Sequence, residues 1–291
     1  MKTTSVIVCY NPVDSDLRHL CLKLVQNGSS LVLVDNTEKS YLTGFEEFAD
    51  CVLIRLGANT GIAHAQNIGI SRAVQNGAEV VVFFDQDSKI GDNFLSILLA
   101  PLKAGEPGIV APVLFDEIEN FEFPTMKLGK YGWLIKVYKW GRQIPYTADV
   151  VTSSGTAATT VVFDVAGLMD EDFFIDYVDT EWSLRCRSKN IPIQVVPTAI
   201  MQHSVGNKSI NFGFMRGFVH SPERSYYVIR NCFLLFRKRS VPVLAAFMEI
   251  VSVFIHYAMA FIFLRNKSIY AGNYCLAIMH GVKGVVGKKP V

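Results

Sequence analysis

Two carboxylates, Asp85 and Asp87, stand one residue apart directly after the apolar run Val80-Val81-Val82-Phe83-Phe84. At the exposed end of a buried strand, their oxygens can share one divalent cation with a diphosphate, because hard cations such as Mg2+ and Mn2+ take carboxylate and phosphate oxygens together. Taken alone, the tripeptide reads more readily as a solvated turn. Asp35-Asn36 ends a second apolar run, where either side chain can read the imide edge of a pyrimidine or a ribose hydroxyl. The stretch from Asn59 to Gly69 opens a helix, with Asn59 as its candidate N-cap, Gly61, Ala63, Ala65 and Gly69 as small residues, and Asn67 on its second turn. Tight packing of helix on sheet accounts for Ala63 and Gly69 but not for the asparagines.

A second group of acids, Asp172, Asp176, Asp179 and Glu181, lies within ten residues. If they converge they raise one another's pKa, which suits a base that takes a hydroxyl proton near neutral pH. If they face solvent on the first turn of a helix, the helix dipole is sufficient reason for them. Ser153-Ser154-Gly155-Thr156 can offer hydroxyls and N–H groups to a sugar or an acceptor, or be a plain turn. Arg224 and Arg230-Asn231 can bring guanidinium charge to a diphosphate or a lipid phosphate.

Such residues need a rigid frame. The short apolar runs Ser5–Cys9, Leu31–Val34, Val52–Arg55 and Val80–Phe84 alternate with helical patterns over Leu17–Gln26 and about 62–75. Strands that are apolar throughout predict a largely parallel sheet covered on both faces, an α/β fold whose ligands bind beyond the carboxyl ends of the strands. Those ends carry Tyr10-Asn11-Pro12, Asp35-Asn36-Thr37, Leu56 to Gly61 and Asp85-Gln86-Asp87. Residues 115–148 read as a loop-bearing region with one hairpin. After them come a predicted strand at Val161–Val165, a helix near Thr180–Lys189, a strand at Ile193–Val196 and helices from Pro222 onward.

The net charge of +2 conceals an imbalance: residues 1–223 carry 18 Lys/Arg against 25 Asp/Glu, and residues 224–291 carry 10 against 1. A hydrophobic half and less than a fifth charged residues exclude a disordered chain. The six scattered cysteines match no zinc or disulfide spacing and are expected to be free thiols. The first apolar run is too short for a signal peptide, so the chain is expected in the cytosol or on the cytosolic side of a membrane, where its glycosylation sequons have no meaning.

Val241–Leu264 is long enough to span a bilayer, but Glu249, Ser252 and His256 share one of its faces and basic residues flank both ends. We read it as a helix lying in the plane of an anionic leaflet, with a span and a homo-oligomer interface as the other two possibilities. Gly281 to Lys289 lacks P-loop spacing and reads as a polybasic tag for lipid headgroups. The basic charges cluster at helix ends rather than in a stripe with interleaved aromatics, so nucleic-acid binding is not expected.

VIVCYNP, VDN, NTGIAHAQNIGI, FFDQDS and VFDVAGLMDEDFFIDYVDTEWSLR, in that order and spacing over about residues 4–231, resemble the family 2 inverting glycosyltransferases of GT-A fold. FIDYVDTEW and YYVIRN are most similar to bacterial rhamnosyltransferases of O-antigen and related surface polysaccharides. The resemblance implies a nucleotide-sugar donor, here dTDP-L-rhamnose, a Mg2+ or Mn2+ cofactor and a lipid-linked saccharide acceptor at the cytoplasmic face of the bacterial inner membrane.

It gives Asp85 the ribose or the metal, Asp87 the metal with His203 beside it, and Asp35 the base, with the Tyr10–Pro12 turn against it. It also gives Asp179 the general base, with Asp176 and Glu181 as competitors because Val178 stands where the family has Glu. Asn36, Asn59, Gly61, Asn67, Ser154, Gly155, Arg185 and Arg230 complete the expected donor site. The expected boundaries are a catalytic domain over 1–222, with a nucleotide-sugar half to about 110 and an acceptor half after it, and a membrane or oligomerisation region over 223–291. A donor with another UDP- or GDP-activated hexose, or a non-catalytic nucleotide-sugar-binding scaffold, is the alternative.

Overall fold

A computed structural model describes residues 1–48, 50–117, 120–202, 209–211, 216–218, 220–264 and 267–290. The first half alternates strand and helix: β1 (Thr3–Cys9), α1 (Asp14–Gln26), β2 (Ser30–Asp35), β3 (Cys51–Arg55), α2 (Ile62–Gln75), β4 (Val80–Asp85) and α3 (Phe94–Leu99). The second half holds β5 (Ile109–Asp116), β6 (Phe121–Glu122), β7 (Thr125–Leu128), β8 (Leu134–Val137), β9 (Tyr146–Thr147) and β10 (Ala157–Thr159). It continues with α4 (Val161–Ala166), α5 (Val178–Ser188) and β11 (Ile193–Gln202). A small pair, β12 (Ser209–Asn211) and β13 (Arg216–Phe218), then leads to three helices, α6 (Pro222–Phe236), α7 (Val243–Phe263) and α8 (Lys267–Lys283).

The main sheet runs β3-β2-β1-β4-β10-β5-β11-β9, with β6 on β5. Strands β3, β2, β1 and β4 are parallel, and β10 runs antiparallel to both β4 and β5. Both faces are covered, so successive side chains enter different cores: Val81 and Phe83 of β4 join the layer under α2, α4 and α5, while Val80, Val82 and Phe84 join α1 and α3. This is why these strands are apolar at every position. Helix α2 lies so close that a Cβ on Gly69 would come within 2.3 Å of Val6.

The expected hairpin is β7–β8. One strand is corrected. Val161–Val165 is helical, as α4, and the strand at that place is the shorter β10, which inserts between β4 and β5. Gly167 ends α4 at φ +81°, and the chain turns toward the acid-rich segment. Helices α6, α7 and α8 pack on one another and on that segment, with Phe174 stacked on Tyr227 at 4.9 Å. None of the six cysteines forms a disulfide.

Candidate active site

The carboxyl ends of β1, β2 and β4 line up because the three strands are parallel and in register, with Cys9 opposite Asp35 and Val8 opposite Asp85. Gln86 holds the Tyr10 backbone from both sides, accepting its N–H at 2.7 Å and donating to its carbonyl at 3.2 Å. Tyr10 and Asn11 are exposed and Pro12 is buried, with Asn11 in the left-handed region and its N–H on the Thr37 hydroxyl at 2.9 Å. Asp85 is half-buried and Asp87 is exposed. Among the described residues no group of three His, Cys, Asp or Glu converges as a metal cage, and His203 lies outside them.

Asp35 is closed from solvent. Its Oδ1 accepts the Thr37 N–H at 3.0 Å and its Oδ2 is buried with no hydrogen-bond partner among the described residues. Asn36 is also buried and ties two loops, its Oδ1 accepting from the Thr60 N–H at 2.8 Å and its Nδ2 reaching Asn59 Oδ1 and the Gly61 carbonyl at 3.3 Å each. Gly61 sits at φ +90°, and a Cβ there would meet the Phe174 carbonyl at 2.7 Å; beside it, the Ile62 N–H donates to that carbonyl, also at 2.7 Å. The N-terminus of α2 thus receives the backbone of the acid segment directly.

That segment is unusual. Phe174, Asp176 and Tyr177 have φ of +63°, +61° and +64°, a conformation costing about 1–3 kcal/mol for each non-glycine residue. The kink turns α5 so that Asp179 lies in its first turn, half-buried, where the Thr180 N–H at 2.8 Å and the Ser153 N–H donate to it. Burial, with the nearby carboxylates Asp176 and Asp85, pushes the Asp179 carboxyl up to about 6, against the lowering effect of those two N–H groups. Asp176 is paired with Arg224, whose Nη2 lies 2.9 Å from its Oδ1. His220 is pushed down to about 4 by burial and by the Arg224 cation, so it is neutral at pH 7.

Several expected donor contacts have other work. Glu181 is only 2 % exposed and bound to Arg185 at 2.8 Å and to the Ser240 hydroxyl at 3.1 Å, which removes it as a competing base. Arg185 is spent on Glu181 and on the Ala166 and Leu168 carbonyls. Asn67 clamps α2 to the acid segment through the Met169 carbonyl at 3.0 Å and Glu171 at 2.8 Å. Arg230 is fully buried, so it does not meet a diphosphate. The Ser154 hydroxyl is buried 3.4 Å from that of Ser88, and Gly155, at φ +76°, is packed on Pro112. The turn they form contributes through the Ser153 N–H instead. Asp176, held by Arg224, is an anchor rather than a free base.

Residues not foreseen here are Tyr177, whose hydroxyl donates to Glu249 on α7 at 2.7 Å, and His220. Both owe their place to folding of the C-terminal helices onto the acid segment. No spacing in the sequence marks that contact.

The family model described as glycosyl transferase family 2 matches residues 5–159. The dTDP-rhamnosyl transferase RfbF of Shigella flexneri is 39% identical over 287 residues, 97% of this chain and 96% of the relative. Solved structures agree on the fold. The structure of Staphylococcus aureus TarS 1–349 in complex with UDP-GlcNAc superposes with a TM-score of 0.56 at 13% identity, over 98% of this chain and 82% of that one. That of GalNAc-T7 with UDP, GalNAc and Mn2+ gives 0.58 at 16% identity, over 83% of this chain. The chain spans about half the length of GalNAc-T7 and of the longer TarS structure, 53% and 49%. The mixed sheet with parallel donor-side strands is the GT-A fold, and the chain belongs to glycosyl transferase family 2.

Proposed function

We propose that this glycosyltransferase moves L-rhamnose from dTDP-L-rhamnose onto a lipid-linked saccharide, with inversion, in the synthesis of O-antigen or a related surface polysaccharide. The observation that carries the reaction is Asp179, a half-buried carboxyl raised to about 6 beside the carboxyl end of β4, which is the range a base needs near neutral pH. The likeness to the Shigella flexneri rhamnosyl transferase supports the donor.

Asp179 takes the proton of the acceptor hydroxyl as that oxygen bonds the anomeric carbon. The bond from that carbon to the diphosphate breaks on the opposite face and its electron pair leaves with the nucleoside diphosphate. Arg224 is half exposed beside Asp176 and offers fixed positive charge to the departing group. Neutral His220 can donate or accept a hydrogen bond there without adding charge. Asp85 and Asp87 form an all-oxygen pair open to solvent at Asp87, which fits Mg2+ or Mn2+. When bound, such an ion supplies charge that neutralises the diphosphate.

The proposal includes a membrane. Helix α7 buries Ala245, Ala246, Val253, Tyr257 and Ala260, and leaves Phe247, Met248, Phe254, Ile255, Ile262 and Phe263 exposed. It meets the length and hydropathy criteria for a span. Its tie to the acid segment through Glu249 and Tyr177 favours a helix that stays on its domain and lies along the cytosolic leaflet of an inner membrane. A homo-oligomer would cover the same face.

The test is incubation with dTDP-, UDP- and GDP-sugars and bacterial lipid extract, with and without EDTA. We expect dTDP-rhamnose alone to be consumed, with release of dTDP, and the loss on chelation to be restored by Mg2+ or Mn2+. Consumption of another donor overturns the sugar, activity indifferent to EDTA overturns the metal, and donor binding without turnover favours a scaffold.

A further inference from the structure

Arg230 and Asn231 on α6 are both fully buried. Their polar atoms are turned to one target. The Asn231 Nδ2 donates to the carbonyls of Phe173, Ile175 and Asp176 at 2.8, 2.7 and 3.1 Å, three acceptors on the stretch that holds the left-handed residues. Arg230 orients that amide, its Nε donating to Asn231 Oδ1 at 2.7 Å, and its Nη2 reaches the Phe173 carbonyl at 3.1 Å.

The other side of the guanidinium holds the chain after α8. Arg230 Nη1 donates to the Val285 carbonyl at 3.2 Å and to the Gly287 carbonyl at 2.8 Å. The Gly287 N–H in turn donates to the Asp172 carbonyl at 2.7 Å, and Lys288 Nζ reaches the Asn59 carbonyl at 3.4 Å. Lys289 is used internally too, its N–H on the Tyr227 hydroxyl at 2.9 Å and its Nζ on Asn273 at 2.6 Å. The expected polybasic tag is therefore, through Lys289, a strap across the acid segment rather than a free lipid-binding tail.

A cation buried among carbonyls and the Tyr226 and Tyr227 rings is a costly device that needs a complete set of partners. The carbonyl and amide oxygens it meets belong to the acid segment, the strap and Asn231, and the Tyr226 side chain on its own helix adds a further contact. A backbone forced into the left-handed region at three non-glycine positions persists only where its surroundings over-determine it. Here the over-determination comes from Asn231, Arg230 and the strap.

We propose that Arg230 and Asn231, together with the strap Gly284–Lys289, are positioning residues that hold the left-handed segment 173–177 and so set Asp179 in place for the acceptor hydroxyl. The kinetic arm rests on the glycosyl-transfer reading above; the structural arm does not. Asn231→Asp keeps the shape and removes the triple donor, and a chain ending at Lys283 removes the strap while leaving every residue of α6 unchanged. Hydrogen exchange of the full-length protein and both variants reads the segment directly. Amides of 173–177 are expected to exchange at least tenfold faster in each variant while those of β1 and β4 are unchanged.

With donor and lipid extract, kcat is expected to fall on the order of 10- to 100-fold, since small displacements of a reacting group are this costly. The donor KM is expected to stay within about twofold. Unchanged exchange at 173–177 in the truncated chain overturns the proposal, as does a rise in donor KM with kcat unchanged. If the wild-type protein turns over no nucleotide sugar, the transfer reading fails while the exchange arm still decides whether the segment is held. If Asn231→Asp does not fold, the truncated chain carries both measurements.

Discussion

At the scale of single residues, Asp179 and Glu181 show how two acids in the same helical turn receive different roles. Glu181 points inward to Arg185, whereas Asp179 has backbone N–H partners and a raised pKa. Asp179→Asn is expected to lower kcat about 100- to 10,000-fold, and wild-type kcat/KM is expected to rise with pH through about 6 and then level off. Folding raises this carboxyl, so its protonated form stabilises the fold below the ordinary carboxylate range, and that contribution is lost as pH climbs through about 6. Melting curves should therefore place Asp179→Asn above wild type at pH 8 by up to about 3 kcal/mol, with the gap closing at pH 4. An equal gap at both pH values would show that the carboxyl is not perturbed. Glu181→Gln leaves Arg185 short of its buried charge partner and should cost about 2 kcal/mol in a denaturant titration. Turnover per folded molecule should persist, and its abolition would return Glu181 to the reaction.

At the scale of elements, the site is made where α2, the acid segment and α6 meet. Gly61 allows this, because its φ of +90° and its missing Cβ admit the Phe174 backbone. Gly61→Ala is expected to cost about 2 kcal/mol and to raise the donor KM, since the Asn36–Asn59–Thr60 network moves with it. Thermal melting and initial rates check both. Of these elements, α2 and β4 are legible in the sequence, through helical period and an unbroken apolar run. Helix α4 is not. Val161-Val162-Phe163 reads locally as a strand, and only competition for the place between β4 and β5, taken by Ala157–Thr159, leaves that stretch helical. Local propensity was overridden by sheet topology.

At the scale of the molecule, the acidic front and the basic, apolar back meet at one seam. The back does more than carry charge: α6 supports the acid segment, α7 meets it through Glu249, and the strap after α8 crosses it. Burial raises the pKa of Glu249 against the lowering effect of Tyr177, so this tie tolerates an apolar setting. The outward face of α7 is expected to bind vesicles rich in anionic lipid. Replacing Phe247, Ile255 and Ile262 by Gln should reduce sedimentation with such vesicles at least tenfold, without a change in melting temperature. If the same variant instead converts an oligomer to a monomer in sedimentation velocity and vesicle binding is unchanged, the face is an interface between copies.

The sequence alone determined the α/β character, and it singled out the polar strand ends and the clustered acids as candidates. These depend on periodicity and on short spacings, which the chain carries locally. The tertiary structure decided which acid is free, because freedom depends on partners far along the chain: Arg185 and Ser240 hold Glu181, and Arg224 holds Asp176. It also turned Arg230 and Asn231 from phosphate ligands into supports, since burial is a property of the packed whole. The charge split between residues 1–223 and 224–291 was visible from the outset, but the contact that makes the basic part a neighbour of the acidic site arises only when α6, α7 and α8 close on the segment before α5.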